Sequence, residues 1–244
     1  EFAIGDNEKN IRLFIWKYFQ DEFEIYLNTP SGKRINISND VTVSSQRENI
    51  ESVLAMPTPY TSKQLVEVSI RPGNSLDYVI SGIWSIEFAV TGTIKCGIVD
   101  MWLPTIEAIG LSTGFLRPSP DTTVTIPATA RKVLSVGAFN QDAGSMAPFS
   151  GRGYTADGRL VPLIVAYGVD VTAAGYGGGY VRKTGTSFAA PKISGYAACI
   201  MEWGIVRRND ENMYGEKLIA YMTRYAVGIE GEEMPGIRQG WGLI

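Results

Sequence analysis

Residues 183–195 read KTGTSFAAPKISG, and Ser187 within them has the setting of a nucleophile. Gly185 allows a sharp turn just before it. An apolar run follows, and a helix N-terminus presents unpaired N–H groups and the positive end of the helix dipole. Both favour the negative charge that develops on a tetrahedral intermediate of acyl transfer. Ala189 and Ala190 let such a helix pack closely. Pro191 is tolerated only in a first turn, so the helix is expected to begin near Ser187. A serine nucleophile needs a base, and the 244 residues contain no histidine. A serine before an apolar helix is also the ordinary capping arrangement, so this fragment alone leaves nucleophile and cap both open.

Other residues with possible chemistry give little. Lys183 and Lys192 flank Ser187, and a Ser–Lys dyad would require one of them desolvated within hydrogen-bond reach. Lys192 stands five residues along the helix and is expected to reach solvent. Asp157 precedes Gly158 in a turn and Asp170 follows the segment AYG, so both read as loop acids. YGGGY, residues 176–180, has neither the lysine of a phosphate loop nor dinucleotide-binding spacing, and is expected to form a turn beside the strand leading to Ser187. Cys96 and Cys199, without close spacing or histidine, are expected to be buried free thiols: Cys96 in a strand, Cys199 in a helix. No metal or other cofactor is expected.

The elements that position Ser187 change character along the chain. Residues 9–104 contain apolar–polar alternation in IRLFIWKYF and EFEIYLNT, then VTVSS, QLVEVSIR, IWSIEFAV and IKCGIVDMWL. Turn residues such as Pro30 and Gly32 separate these runs. Short strands at near-regular spacing predict an antiparallel sandwich or jelly roll. Phe14, Trp16, Tyr18 and Phe19 would suit a sugar-binding face, but core packing or domain docking is the expected use. Further on, KVLSVGAF and VPLIVAYG are near-continuous apolar runs, as in a parallel sheet covered on both faces. Residues 188–202 predict a central, buried helix. NDENMYGEKLIAYMTRYA predicts a later amphipathic helix, capped by Asn209 or Asp210 and stopped at Gly228.

Composition excludes some classes. Apolar residues make up 45% and charged residues 19%, with a net charge of −3. That is ordinary for a globular protein, and without a Lys/Arg cluster neither nucleic acid nor an anionic membrane is an expected partner. No apolar run reaches the roughly 18 residues of a membrane span.

GTSFAAPKISG resembles the active-site serine signature of the subtilisin-like serine peptidases, Gly-Thr-Ser-x-Ala-Ala-Pro-x-x-x-Gly. Gly185, Thr186, Ser187, Ala189, Ala190, Pro191 and Gly195 fit it. The flanks ATARKVLSVGAFN and FSGRGYTADGRLVPLIVAYGVDVTAAG resemble the segments that precede the serine in that family. The resemblance covers residues 115–244. Nearly the whole chain, through GIWSIEFAV, DMWLP, FLRPSPDTTVTIPATARKVLSVGAFN and EWGIVRRNDENMYGEKLIAYM, resembles the clostridial Csp-type subtilases, in which a jelly roll is inserted within the catalytic domain.

That resemblance implies a jelly-roll module at 1–112 followed by the C-terminal part of an α/β subtilisin-like domain at 113–244, with a parallel sheet and a central buried helix. It implies a serine endopeptidase acting through an acyl-enzyme on Ser187, a protein substrate, and, for the Csp branch, association with spores and activation of a cortex-lytic hydrolase precursor during germination. In the family's chain order Asp, His and the oxyanion Asn precede the serine, so an upstream segment of the same protein, or a prodomain, is the expected partner. The chain by itself is then expected to be inactive. Leu163 stands where the family has Asp, Tyr167 where it has Pro, and Lys192 where His is usual. The first two departures point to the alternative of a non-catalytic pseudoprotease acting as a germination sensor or scaffold. A glycan-binding module is the remaining alternative for residues 1–105.

Overall fold

The computed structural model describes residues 1–105 and 108–244. They fall into two compact units, Glu1–Pro118 and Ser119–Ile244.

The first unit contains ten strands: β1 (Phe2–Ile4), β2 (Ile11–Tyr18), β3 (Phe23–Asn28), β4 (Arg34–Asn36), β5 (Val41–Ser44), β6 (Glu48–Ala55), β7 (Lys63–Pro72), β8 (Gly82–Val90), β9 (Val99–Trp102) and β10 (Gly114–Phe115). They form two five-stranded sheets, ordered β10-β1-β8-β3-β4 and β5-β6-β7-β2-β9. Each pairing is antiparallel. One hydrophobic core takes residues from both sheets, among them Leu13, Ile15 and Val68 from one and Ile25, Leu27 and Trp84 from the other. Alternation along β2 sends Leu13 and Ile15 inward, where both are fully buried. Phe14, Trp16 and Tyr18 therefore occupy the opposite face. There they stand across from Glu67, Leu65 and Lys63 on β7. The expected core packing of these aromatics is corrected: they are half-buried on the outer side of the sheet.

The strand expected through IKCGIVDMWL begins only at Val99. The reason is Asp21, which is buried. Its carboxylate accepts the N–H groups of Lys95 (2.7 Å), Cys96 (2.8 Å) and Gly97 (2.9 Å), folding that segment into a loop. Cys96 is consequently exposed rather than buried in a strand. These hydrogen bonds, that of Cys96 foremost, hold the Asp21 carboxyl below the ordinary aspartate range. The sign follows from the depressed value. The contribution is complete above the unfolded aspartate pKa of about 3.9 and is lost as pH falls through the lower folded value. Asp21→Asn is expected to lower the thermal midpoint at pH 7, with the gap to the parent closing as the pH drops below about 4. Scanning calorimetry across pH 3–7 checks this, and a gap that stays constant with pH contradicts it.

The second unit holds β11 (Val136–Asn140), β12 (Ser145–Met146), β13 (Ile164–Tyr167), β14 (Val171–Ala174), β15 (Tyr180–Lys183), α1 (Thr186–Met201), a π-helical turn at Glu202–Val206, and α2 (Gly215–Tyr225). β11 and β13 pair in parallel, with Val136 opposite Ile164 and Phe139 opposite Tyr167. β12 adds antiparallel to the other edge of β11. β14 and β15 form a separate antiparallel ribbon.

Two helix expectations change. α2 starts at Gly215 because Asp210 is engaged elsewhere, accepting the Asn212 N–H (3.2 Å) and pairing with Lys217. It ends at Tyr225, before Gly228. α1 is apolar on all sides, which predicted full burial, yet only Ala189 and Ile193 are buried. These two pack with Ala138, Ile164 and Ala166 of the parallel pair. The opposite side, with Ala190, Ser194, Gly195, Ala198 and Cys199, is exposed. Cys199 is thus a second exposed thiol where a buried one was expected.

Candidate active site

Ser187 is the second residue of α1. Backbone bonds from three segments fix that position. The Gly168 N–H donates to the Phe139 carbonyl at the end of β11 (3.0 Å), and the Gly185 N–H donates to the Gly168 carbonyl (2.8 Å). The end of the sheet is thereby tied to the start of the helix. Both glycines are required. Gly185 has φ +149°, a backbone conformation that side chains disfavour, and a Cβ at Gly168 would stand 2.7 Å from the Ala138 Cβ. Thr184 adds a brace, its Oγ1 accepting the Asp170 N–H (3.0 Å). Ala189, two residues past Ser187, has no exposed surface, and its small side chain seats the first turn on the sheet.

Ser187 itself is exposed. Among the described residues its hydroxyl has no hydrogen-bond partner, and no side chain caps the helix. The capping alternative is therefore not realised, and the oxygen is open to a group from outside. Pro191 is the sixth helical residue rather than a first-turn residue as expected. It lacks the N–H that would bond the Ser187 carbonyl, leaving that carbonyl without its usual helical donor.

Among the described residues none of the remaining sequence candidates hydrogen-bonds the hydroxyl. Lys192 places its ammonium 5.2 Å from the Tyr167 ring centroid, a cation–π contact, instead of extending into solvent. Tyr167 also packs on Phe139, with centroids 5.9 Å apart. Lys183 ends the exposed strand β15. Asp157 is bound by Arg159 (2.8 Å) and by the Thr155 hydroxyl (2.6 Å), and these bonds hold its carboxyl far below the ordinary range. YGGGY forms the tip of the β14–β15 ribbon, as expected.

A cleft of about 410 Å³ opens beside the helix start. Thr186, Gly137, Ser150, Thr125 and Phe149 are among its walls. Two features shaping it escaped sequence reasoning. Ser150 is buried, and its hydroxyl accepts the Ala138 N–H (3.0 Å), fixing the cleft wall to β11. Arg159 donates to the Thr129 (2.7 Å) and Ala130 (3.3 Å) carbonyls and so holds the segment that follows Thr123–Thr125. The only sequence signal for this clamp was the turn TADG just before Arg159. The open hydroxyl at a helix N-terminus, beside a half-polar cleft, can attack a carbonyl once a base is supplied.

Comparison with known proteins is consistent with this geometry. The subtilase family model matches residues 112–242. The structure of the Clostridium perfringens CspB protease aligns with TM-score 0.87 and 34% identity, covering 100% of this chain and 51% of that one. The C5a peptidase of Streptococcus pyogenes is 33% identical over 99 residues, 41% of this chain and 8% of that protein. The chain thus spans about half the length of the CspB chain and less than a tenth of the C5a peptidase.

Proposed function

The chain belongs to the subtilase family, matched over more than half its length, and from that premise we propose that it is the C-terminal part of a Csp-type serine endopeptidase. Ser187 is the residue acylated by the substrate. Residues 1–112 are the inserted jelly-roll module, and residues 113–244 carry the serine half of the catalytic domain. An upstream segment of the same protein supplies the Asp, the His and the oxyanion Asn. The observation that carries this reading is the free, exposed hydroxyl of Ser187 at a helix start pinned to the sheet through Gly168 and Gly185. The uncovered side of α1 supports it as well. Ala190, Gly195, Ala198 and Cys199 form an apolar surface that the upstream half would cover.

In this mechanism the Ser187 oxygen attacks the scissile carbonyl while the supplied histidine takes its proton. The α1 N-terminus lies where the oxyanion develops, and its dipole favours that charge. The amine leaves after receiving the proton, and water then hydrolyses the acyl-enzyme. The likeness to the Csp-type subtilases makes a spore cortex-lytic hydrolase precursor the first substrate to test.

The complete protein, upstream segment included, is expected to be labelled on Ser187 by a fluorophosphonate probe, and this chain alone is not. Peptide mass mapping reads the labelled residue. A folded complete protein that stays unlabelled removes the peptidase reading. It would favour the pseudoprotease instead, for which Leu163 and Tyr167 are the motivating departures.

A further inference from the structure

We propose that Lys192 and Tyr167 are positioning residues for Ser187: the ammonium seated on the ring holds the opening turns of α1 to the end of β13. The inference rests on the reading of Ser187 as nucleophile and adds to it the pair that aims the hydroxyl.

The need for such a hold comes from Pro191. In a helix each carbonyl is bonded by the N–H four residues on. Pro191 has none to give, so the first turn lacks its bond at Ser187 itself. Apolar packing by Ala189 and Ile193 presses the helix onto the sheet, but it has no direction. The directional ties lie ahead of the helix. They are the bond from the Gly185 N–H to the Gly168 carbonyl (2.8 Å) and the Thr184 brace on the Asp170 N–H (3.0 Å). A helix tied only at its entry can still turn about its axis, and any turn swings the Ser187 oxygen sideways.

Lys192 supplies a tie beyond the entry. It lies in the second turn, five residues past Ser187 and next to the buried Ile193. Its ammonium stands 5.2 Å from the Tyr167 ring centroid, within range of a cation–π attraction. Lys192 is half-buried and has no ion-pair partner among the described residues, so the ring is where its charge is received. Tyr167 is the last residue of β13 and immediately precedes Gly168. Both holds on the helix therefore act through adjacent residues of one strand end.

The ring is itself fixed. Tyr167 lies opposite Phe139 in the parallel register and packs on it, with centroids 5.9 Å apart. The Phe139 carbonyl accepts the Gly168 N–H (3.0 Å). Phe139, Tyr167, Gly168, Gly185 and Lys192 are thus joined in one closed set of contacts that includes both ends of the first turn. Tyr167, one of the departures behind the pseudoprotease alternative, then has a use in an active enzyme.

The test uses the complete protein. Lys192→Gln removes the charge and Tyr167→Leu removes the ring, whereas Lys192→Arg and Tyr167→Phe keep the pair. A partly exposed cation–π contact corresponds to an effect of about two- to fivefold. That loss of kcat is expected in Lys192→Gln with KM unchanged, and Lys192→Arg is expected to keep the parental value. In the Tyr167→Leu background Lys192→Gln is expected to cost nothing further. Parental kcat in Lys192→Gln, the same loss in Lys192→Arg, or a full additional loss on top of Tyr167→Leu overturns the proposal. Deuterium exchange of the Gly185 amide, followed by mass spectrometry, reads the hold without turnover. It is expected to quicken about two- to fivefold in Lys192→Gln and Tyr167→Leu, and to stay parental in Lys192→Arg and Tyr167→Phe. That pattern sustains the hold even if fluorophosphonate labelling shows Ser187 unreactive. Parental exchange in Lys192→Gln overturns it even if Ser187 is labelled.

Discussion

On the proposed function, Ser187→Ala in the complete protein is expected to lower kcat for peptide hydrolysis by about a millionfold, the size of loss seen in subtilisin when the nucleophile or the histidine is removed. The effect is this large because nucleophile and base act as one unit. The helix dipole and the cleft retain only the residual acceleration that positioning and oxyanion stabilisation give. The substitution removes an exposed hydroxyl that has no hydrogen-bond partner among the described residues, so its cost in stability is small. The thermal midpoint should therefore stay within a few degrees of the parent while turnover collapses. Steady-state kinetics paired with a melting curve separates chemistry from folding. Retention of more than about a tenth of parental kcat with the fold intact would place the nucleophile elsewhere, since loss of the true one costs orders of magnitude more.

Trp84→Ala destabilises the chain by about 3–5 kcal/mol, a large share of the 5–15 kcal/mol that holds an ordinary domain together. Trp84 has no exposed surface and lies in β8, the central strand of its sheet. Its ring stacks on Phe2 with centroids 6.4 Å apart, and its indole N–H donates to the Ile80 carbonyl at 3.2 Å. Truncation removes the ring, leaves a cavity between the sheets and strands that carbonyl. Trp16→Ala is the matched control, because Trp16 sits on the outer face of β2 opposite Leu65. Its loss is expected to cost less than half as much, since the neighbouring solvent can fill the space. Urea denaturation of both variants measures the difference. Equal costs would mean that the face assignment of β2 is wrong.

The contrast between those two tryptophans marks the limit of pattern reading in the first unit. In IRLFIWKYF both faces of the strand are apolar, so alternation revealed a strand without saying which side was the core. Only pairing with β7 and the opposing sheet decided that Leu13 and Ile15 go inward. Cys96 is a similar case. Its segment has strand composition, and the carboxylate that bends it out of a strand comes from Asp21, 75 residues earlier. In the second unit, the apolar character of α1 was plain and its burial was not. A helix is buried only where something covers it, and here Ala189 and Ile193 are fully covered while Ala197 and Ile200 are covered in part.

Local chemistry left nucleophile and cap both open for Ser187 until the longer run GTSFAAPKISG was matched to the subtilase serine signature. It made the residue a candidate because a glycine, an expected helix start and small residues lie within a few positions of each other. The strand-forming tendency of β2, β11 and β13 was legible for the same reason. Tertiary structure decided what depends on partners distant in sequence: the Phe139–Gly168–Gly185 chain of hydrogen bonds that aims the helix, the Ser150 and Arg159 contacts that shape the cleft, and the contact of Lys192 with Tyr167. Propensity and capping act over a turn or two of chain, whereas hydrogen-bond satisfaction and packing join whichever segments the fold brings together.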